Sequence, residues 1–558
     1  MKGFYLTYFN IEKQFKNNKI YFFAKIVLCI IFAFSIMMDS ALVFSGDLVG
    51  KISDNYFTSI TFHNIVVFVL TFIVSYIVIT ILEFLVDKLN TKMHITNNIK
   101  QKNKKIFFIA FGVILLLWLP YILSYFPGGV FADTIVSVNE AIGKERLYNH
   151  NPILYTLILR LFFKMGMLIS STNGQLLGLM IFTSAQVLVM DAVVSYFIYW
   201  TYNRGLSLKY VVLEILFFGL FNLIPLYAIS LWKDTTFCLV LFLYIIFLAD
   251  IVYGNGENLK KISGIIYYLI LIALVIFLRN NGIYIIALTT MILFFVFRKQ
   301  LLHQLKKFAI ATIVTIVVCY TIQGPIFKIL KLNTEFVENL GMFLQQICYV
   351  AAKDGNMTEE QREFINNILP IETIKTAYSP CIIDTVKWNE EFNGKQIDDN
   401  MSKFFKTWFQ LFLQNPVSYV KAYLLNSIGF WDVNKSIFNS YTNHTMWPTL
   451  QNLPEYKQSD YIEIWTNYSI RKLVKPHISI SSAVFLMITL IGCLMTIYRK
   501  KYINLLIYCP IIATWLTIMI AVPVAFSLRY VYILVLALPL SIIIPFLDTK
   551  ELDESNKK

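Results

Sequence analysis

The feature that most constrains this chain is the recurrence of apolar stretches about as long as a membrane is thick. A helix needs ~20 consecutive, mostly apolar residues to cross the hydrocarbon core. About twelve stretches approach or reach that length, near 21–43, 62–86, 106–124, 174–200, 210–229, 236–252, 263–278, 282–297, 308–326, 477–498, 503–522 and 527–547. Hydrophobic residues make up 57% of the 558, against ~45–50% in an ordinary soluble domain. In lipid the backbone must satisfy its own polar groups, and a helix does so within one segment. The expectation is an all-α polytopic membrane protein with about twelve transmembrane helices. The first stretch contains Lys25 and Asp39 and no small-residue cleavage site follows it, so it reads as a retained helix.

The net charge of +14 is explained by where the basic residues fall. Lys88, Lys92, Lys100, Lys102, Lys104 and Lys105 crowd one loop; Arg204 and Lys209, Lys260 and Lys261, Arg298 to Lys307, and Arg499 to Lys501 fill four others. With Lys13, Lys16 and Lys19 inside, all five loops come out cytoplasmic, as the positive-inside rule requires. Both termini are then cytoplasmic in a multi-pass protein of the cell membrane, and the charge implies no nucleic-acid partner. The loop 125–173, the turns at Lys233–Asp234 and Arg279–Gly282, and the segment 327–476 fall outside. That segment carries 15 Lys/Arg against 16 Asp/Glu and no span-length apolar run. It reads as a mostly helical extracytoplasmic domain, with helices over 359–369 and 401–414 and breaks at Tyr378–Pro380 and Asn415–Pro416. It divides a transmembrane module over 1–326 from a second one, with a cytoplasmic tail, over 477–558. Of seven cysteines, Cys348 and Cys381 share the outer segment and are close enough in sequence to pair; unpaired small hydrophobes are the favoured reading. P-loop, Rossmann, HExxH and GxSxG motifs are missing, so the chain is no ATP-driven pump by itself.

Four outer stretches gather chemistry-bearing residues. The first is FPGGVFADTIVSVNEAIGKERLYNHNPILYTLILRLFFK, residues 126–164. Pro127-Gly128-Gly129 turns the chain as it leaves the third span. Asp133 follows, with Glu140 and His150 beyond it as further polar candidates. Asn151-Pro152 then starts a helix too short to span, expected to lie in the interface with Arg160 and Lys164 toward lipid phosphates. Three roles are open to Asp133: a general base, a ligand for a divalent metal such as Mg or Mn, or an N-cap for the helix after it. The second stretch is Ser230–Asp234, where Lys233 and Asp234 are pinned at the membrane edge. The third and fourth are Arg279-Asn280-Asn281-Gly282 and Phe526–Tyr530. Arg279 and Arg529 stand at the outer edge, where topology does not call for positive charge, and guanidinium matches phosphate oxygens in a bidentate fork. Acids inside or near span ends, namely Asp39, Glu83, Asp191, Glu214 and Asp250, read as snorkelling or paired groups, with Asp191 a structural polar contact.

Taken together, FPGGVFADT, YNHNPILYTLILRLF, SLWKDTTF, FLRNNGIYII and FSLRYVYILVLALP resemble the polytopic glycosyltransferases of the GT-C fold, and more narrowly a branch from low-GC Gram-positive bacteria. The resemblance covers residues 105–300 and 505–547 and not the outer segment. It implies transfer of a sugar from a polyprenyl-phosphate donor to a cell-envelope glycopolymer or glycolipid on the outer face. By position, Asp133 would activate the acceptor or hold a metal. Lys233 and Asp234 would line the donor site, and Arg279 and Arg529 would hold its phosphate, with Glu140, His150 and Arg160 as further substrate contacts. Relatives of this fold often pair two acids in the first outer loop, and here Asp133 has only Glu140 near it, so metal dependence stays open. The competing expectation is a flippase for lipid-linked sugars, which would show a polar path at mid-membrane and inverted repeats.

Overall fold

The computed structural model describes residues 18–42, 59–90, 103–125, 127–129, 132–303, 305–332, 336–433, 480–521, 524–525 and 527–547. Among these the regular structure is helical, with no strands. The chain runs through α1 (Lys19–Ala41), α2 (Phe62–Asn90), α3 (Lys105–Ser124), α4 (Ala132–Ile142), α5 (Ile153–Ile169) and α6 (Gly174–Asn203). Next come α7 (Leu208–Leu220), α8 (Leu223–Ala228), α9 (Lys233–Tyr253), α10 (Ile262–Leu278), α11 (Gly282–Val296), α12 (Arg298–His303) and α13 (Lys306–Thr321). A π-turn at Ile322–Ile326, holding Pro325, carries α13 into α14 (Phe327–Ile329). Seven helices then form a separate module: α15 (Gly341–Ala352), α16 (Glu359–Asn366), α17 (Ile371–Ala377), α18 (Asp384–Lys387), α19 (Gly394–Asp399), α20 (Met401–Gln414) and α21 (Pro416–Asn426). The chain closes with α22 (Ser482–Tyr498), α23 (Leu505–Ala521), α24 (Ile533–Leu536) and α25 (Leu538–Ile543).

Among the described residues seven helices are long and apolar enough to cross a membrane: α1, α2, α3, α6, α9, the run Lys306–Ile329 and the run Tyr502–Ala521. The other five expected spans depart from unbroken 20-residue helices. α10, α11 and α22 have 17, 15 and 17 residues. The stretch 210–229 is split between α7 and α8, ahead of Pro225, and 527–547 is a chain of short pieces with Pro539 and Pro545 at helix starts. Proline lacks the N–H that would continue a helix, and segments packed among other helices tolerate such breaks. Lipid-facing character is clearest in α2, whose Val69, Leu70, Val74, Ile77, Val78 and Ile81 are all exposed.

Interior acids meet partners, as expected for costly charges. Lys25 Nζ lies 2.5 Å from Glu83 and 2.9 Å from Thr80 Oγ1, and Tyr21 also donates to Glu83, joining α1 to α2. Asp250 takes Arg204 and the Trp200 indole N–H. Asp191 accepts from Ser195, and Glu214 accepts from Thr201.

The module has its own apolar core, spanning Val337 to Ile428, which Met38, Ala41 and Ala525 also enter. It caps one end of the bundle. Ala525 N donates to Cys381 O at 2.9 Å, Ile382 bridges Val524, and Tyr423 Oη donates to the Met519 carbonyl at the end of α23. Within it α20 has the expected bounds, and α16 starts on a capping box between Thr358 and Gln361. Cys348 and Cys381 are buried free thiols, pushed up to about 12 by burial, and not a disulfide. Residues 434–479 of the segment and the tail 548–558 lie outside the described residues.

α5 and α6 form a hairpin at the capped end whose backbones touch. A Cβ on Gly166 would meet Gly174 O at 2.2 Å, and one on Gly178 would meet Phe163 Cα at 2.6 Å. Small residues permit this approach, as in membrane helix pairs generally. Gly166→Ala or Gly178→Ala should destabilise the solubilised protein by about 1–3 kcal/mol through overpacking. Gly112→Ala, with nothing within 4 Å of its Cβ, should not. Thermal unfolding followed by fluorescence checks the contrast.

Candidate functional site

The capped end collects three of the four predicted stretches around one loop, Ile229–Lys233, with the turn of α10 into α11 beside it. Gly129 N donates to Ile229 O at 2.8 Å, and Leu231 N donates to Gly129 O at 2.9 Å, so Pro127-Gly128-Gly129 lies alongside the loop as a short parallel bridge. Gly128 has φ +147° and abuts Thr183, a backbone shape and a clearance that suit only glycine. The Leu231 carbonyl accepts from Thr134 Oγ1 at 2.9 Å and from Tyr155 Oη at 2.7 Å. Gln186 Nε2, from α6, donates to the carbonyls of Ala228 and Ser230 at 2.8 and 2.7 Å. The loop is therefore held by four separate elements before α9 begins.

Lys233 is the first residue of α9, and Asp234 follows in its first turn, where the helix dipole favours an acid. Arg279, at the end of α10, places Nη1 2.9 Å from Asp234 Oδ1 and donates to the Tyr530 carbonyl at 3.2 Å. The pair is shut in: the side chains are 12% and 1% exposed. Arg279 also lies over the rings of Phe237 and Tyr530. So Arg279 and Asp234 meet each other and neither lines the cavity described next; they lie behind its wall as a floor support, tying α9, α10 and the segment 527–547 together.

Above this floor is a cavity of about 270 Å³, just below the ~300–1,000 Å³ usual for ligand sites. The bundle contributes His150, Lys233, Asn280, Arg529 and Tyr530; the module contributes Glu338, Asp384, Lys387 and Trp388. Lys233 Nζ donates to Asn151 Oδ1 at 2.8 Å and to the His150 carbonyl at 3.4 Å. The sequence suggests Asn151 as a helix cap. In the structure Pro152 occupies that position, and the Asn151 side chain receives Lys233 instead. Arg529 rests on the faces of Trp232 and Tyr530 and donates to Tyr530 Oη at 2.8 Å. Across the cavity, Lys387 Nζ lies 2.6 Å from Glu338 and 3.0 Å from Asp384. Burial alone would push this ammonium down, but Asp384 and Glu338 outweigh it and hold the group above the usual lysine value.

Arg160, Lys164 and Glu140 do not line the cavity. Asp133 is the second residue of α4, directly before Thr134, whose hydroxyl grips the Lys233 loop; the Asp133 side chain lies outside the described residues. Arg160 turns onto the carbonyls of Glu140 and Ala141 at 2.8 and 3.1 Å, closing the C-terminus of α4, while Lys164 is exposed. Glu140 is buried against Thr156 Oγ1 at 3.3 Å. No group of three His, Cys, Asp or Glu side chains able to hold a metal ion occurs among the described residues. Nothing in the sequence singles out Glu338, Asp384, Lys387 or Trp388, which sit in a charge-balanced segment outside its two expected helices.

The model of DUF6020, a family of unknown function, matches residues 142–558. The chain belongs to that family. No curated protein and no solved structure matches it. The DUF6020 match contains every residue named above as lining the cavity and both members of the ion pair; Asp133 and Glu140 precede it.

Two outcomes follow. Removing one member of a buried pair leaves an uncompensated charge, at a cost of about 3–5 kcal/mol. Asp234→Ala and Arg279→Ala should each lower folded yield and melting temperature, and the double substitution Asp234→Ala with Arg279→Ala should cost less than the sum; strict additivity would contradict the pairing. Burial raises the Glu140 carboxyl from 4.5 to about 7, Thr156 opposing. A raised folded pKa means that the folded state holds the extra proton, so this contribution to stability is full below pH 4.5 and lost as pH rises through 7. Glu140→Gln should therefore match wild type in acid and exceed it in thermal stability above pH 7.

Proposed function

We propose that this DUF6020 protein is a membrane glycosyltransferase of GT-C-like architecture. It moves a sugar from a polyprenyl-phosphate donor to a cell-envelope acceptor on the outer face. The observation that carries this reading is the convergence of Lys233, Arg529 and His150 on one cavity at the capped end, over the Asp234–Arg279 pair and beside the helix that bears Asp133. Twelve passes are read from the alternation of helix ends: α7 with α8, α10, α11, α22 and the segment 527–547 complete the seven long helices. Arg204, Lys260, Arg298 and Arg499 all lie at chain positions away from the capped end, which by the positive-inside rule supports an extracytoplasmic position for that end.

In this reading Lys233 and Arg529 hold the donor phosphate through charge-assisted hydrogen bonds. An apolar crevice of about 200 Å³, lined by Ile122, Tyr125, Val187 and Ile229, opens at the other end of the same loop and suits the lipid chain. Asp133 takes the proton from an acceptor hydroxyl. The acceptor oxygen bonds to the anomeric carbon, the bond from that carbon to the phosphate oxygen breaks, and its electron pair leaves on the phosphate, where the two cations stabilise it. A flippase would bind its substrate at mid-membrane along a polar path between inverted repeats, whereas Asp191, the deepest of the acids, accepts a hydrogen bond from Ser195 one turn along its own helix.

A transfer assay in reconstituted membranes with radiolabelled polyprenyl-phosphate sugar tests the proposal. Asp133→Asn should lower kcat about 10²–10⁴-fold, the usual share of a general base. Arg529→Ala should weaken donor use roughly 10- to 100-fold, as expected for a lost hydrogen bond to a charged group. Unchanged transfer in Asp133→Asn removes its assigned role, and sugar crossing the bilayer without transfer favours the flippase.

A further inference from the structure

The cavity has two chemically different ends. Lys233 and Arg529 make one end cationic. The other carries Trp388, whose side chain is among the most exposed apolar groups of the module at 73%. A single exposed aromatic is ordinary on a protein surface; what sets this one apart is its place in a cavity wall beside two carboxylates. Trp388 is not on a loose loop. Its backbone N–H donates to Asp384 O at 2.9 Å, ending α18, while Ile383 and Val386 on the same turn are buried in the module core. Lys387, next in the chain, is clamped by Glu338 and Asp384 and is only 7% exposed. The preceding residues are bonded to the bundle through Cys381 O and Ile382. The ring is thus presented from a fixed base.

The acids beside it are oriented the same way. Lys387 binds Glu338 through Oε2 and Asp384 through Oδ1, and both side chains stay partly exposed, at 28% and 21%. Each keeps a second carboxylate oxygen not used by Lys387, and both residues line the cavity. An aromatic face beside carboxylate acceptors suits a ring with an apolar C–H face and a rim of hydroxyl donors. A purely anionic ligand would be repelled at this end, and a purely apolar one would strand the carboxylates without donors.

We propose that Trp388, Glu338 and Asp384 form a saccharide subsite at the mouth of the cavity, in which the acceptor sugar ring lies on the indole and its hydroxyls donate to the two carboxylates. This rests on the transferase reading for the word acceptor, while saccharide binding itself does not. Trp388 is then a residue that sets acceptor specificity, and the module works as the acceptor-binding half of the site.

The test uses the full chain in lipid nanodiscs, titrated calorimetrically with a panel of soluble hexose and N-acetylhexosamine oligomers, and in parallel in the transfer assay. Wild type should bind at least one panel member saturably. Trp388→Ala should bind it on the order of tenfold more weakly, and Trp388→Phe, which keeps an aromatic face, should stay near wild type. Melting temperatures matching wild type in both variants show that the fold is kept. In the transfer assay Trp388→Ala should raise the acceptor KM and leave the donor KM unchanged. Binding of no panel member, equal binding by Trp388→Ala, or quenching of Trp388 by brominated lipid, which marks a membrane anchor, would overturn the proposal. Trp388-dependent binding without any sugar transfer would sink the transferase reading and leave the saccharide subsite standing; transfer with an unchanged acceptor KM would do the reverse.

Discussion

The Asp234–Arg279 ion pair is the contact on which the capped end depends. Taking two charges out of water costs roughly several kcal/mol per ion, so the pair persists only because each charge is met at close range and both are fixed by helix ends. Asp234 sits in the first turn of α9, where the backbone dipole supports it, and Arg279 ends α10 with a second bond to the Tyr530 carbonyl. Three segments far apart in the chain are thereby fastened at one depth. Lys233 and Arg529 each neighbour a member of this clamp, and their positions follow from it.

A second restraint works through the backbone. The loop before α9 has carbonyls that no helix satisfies, and buried carbonyls need donors. Gly129, Thr134, Tyr155 and Gln186 supply them. These donors come from the turn after α3, from α4, from α5 and from α6, so the same bonds that satisfy the loop also set α4 and Asp133 beside Lys233. The module adds a lid whose anchor, Ile382 against Val524, lies just ahead of Arg529 in the chain. Cations from the bundle and an acid-clamped lysine from the module then face each other across one small cavity.

Much of the architecture was legible because length and apolarity alone decide which segments can enter lipid. The long helices α1, α2, α3, α6 and α9 fall where hydropathy put them, and α20 begins and ends as its caps indicated. Breaks inside 210–229 and 527–547 were not legible, since a proline in a segment walled by other helices leaves its hydropathy intact. The outer-edge arginines stood out as charges without a topological reason, yet sequence could not separate their roles. Arg279 has a buried acid waiting for it on α9, whereas Arg529 faces the cavity on aromatic rings. Asn151 read as a cap because local pattern cannot see a lysine from another helix. Glu338, Asp384, Lys387 and Trp388 were invisible because their importance lies in tertiary proximity to the bundle, which no local spacing encodes.

The central claim is that the cavity between the module and the bundle receives the phosphate headgroup of a lipid-linked substrate. Photo-crosslinking in native membranes, using a polyprenyl phosphate with a photoreactive group next to the phosphate and mass spectrometry of the labelled peptides, tests it most directly. Labelling concentrated on the peptides around Ile229–Asp234 and Ser527–Tyr530, and displaced by excess unlabelled polyprenyl phosphate, is the predicted result. Labelling confined to the exposed faces of α2 and α13, or spread without displacement, would contradict it.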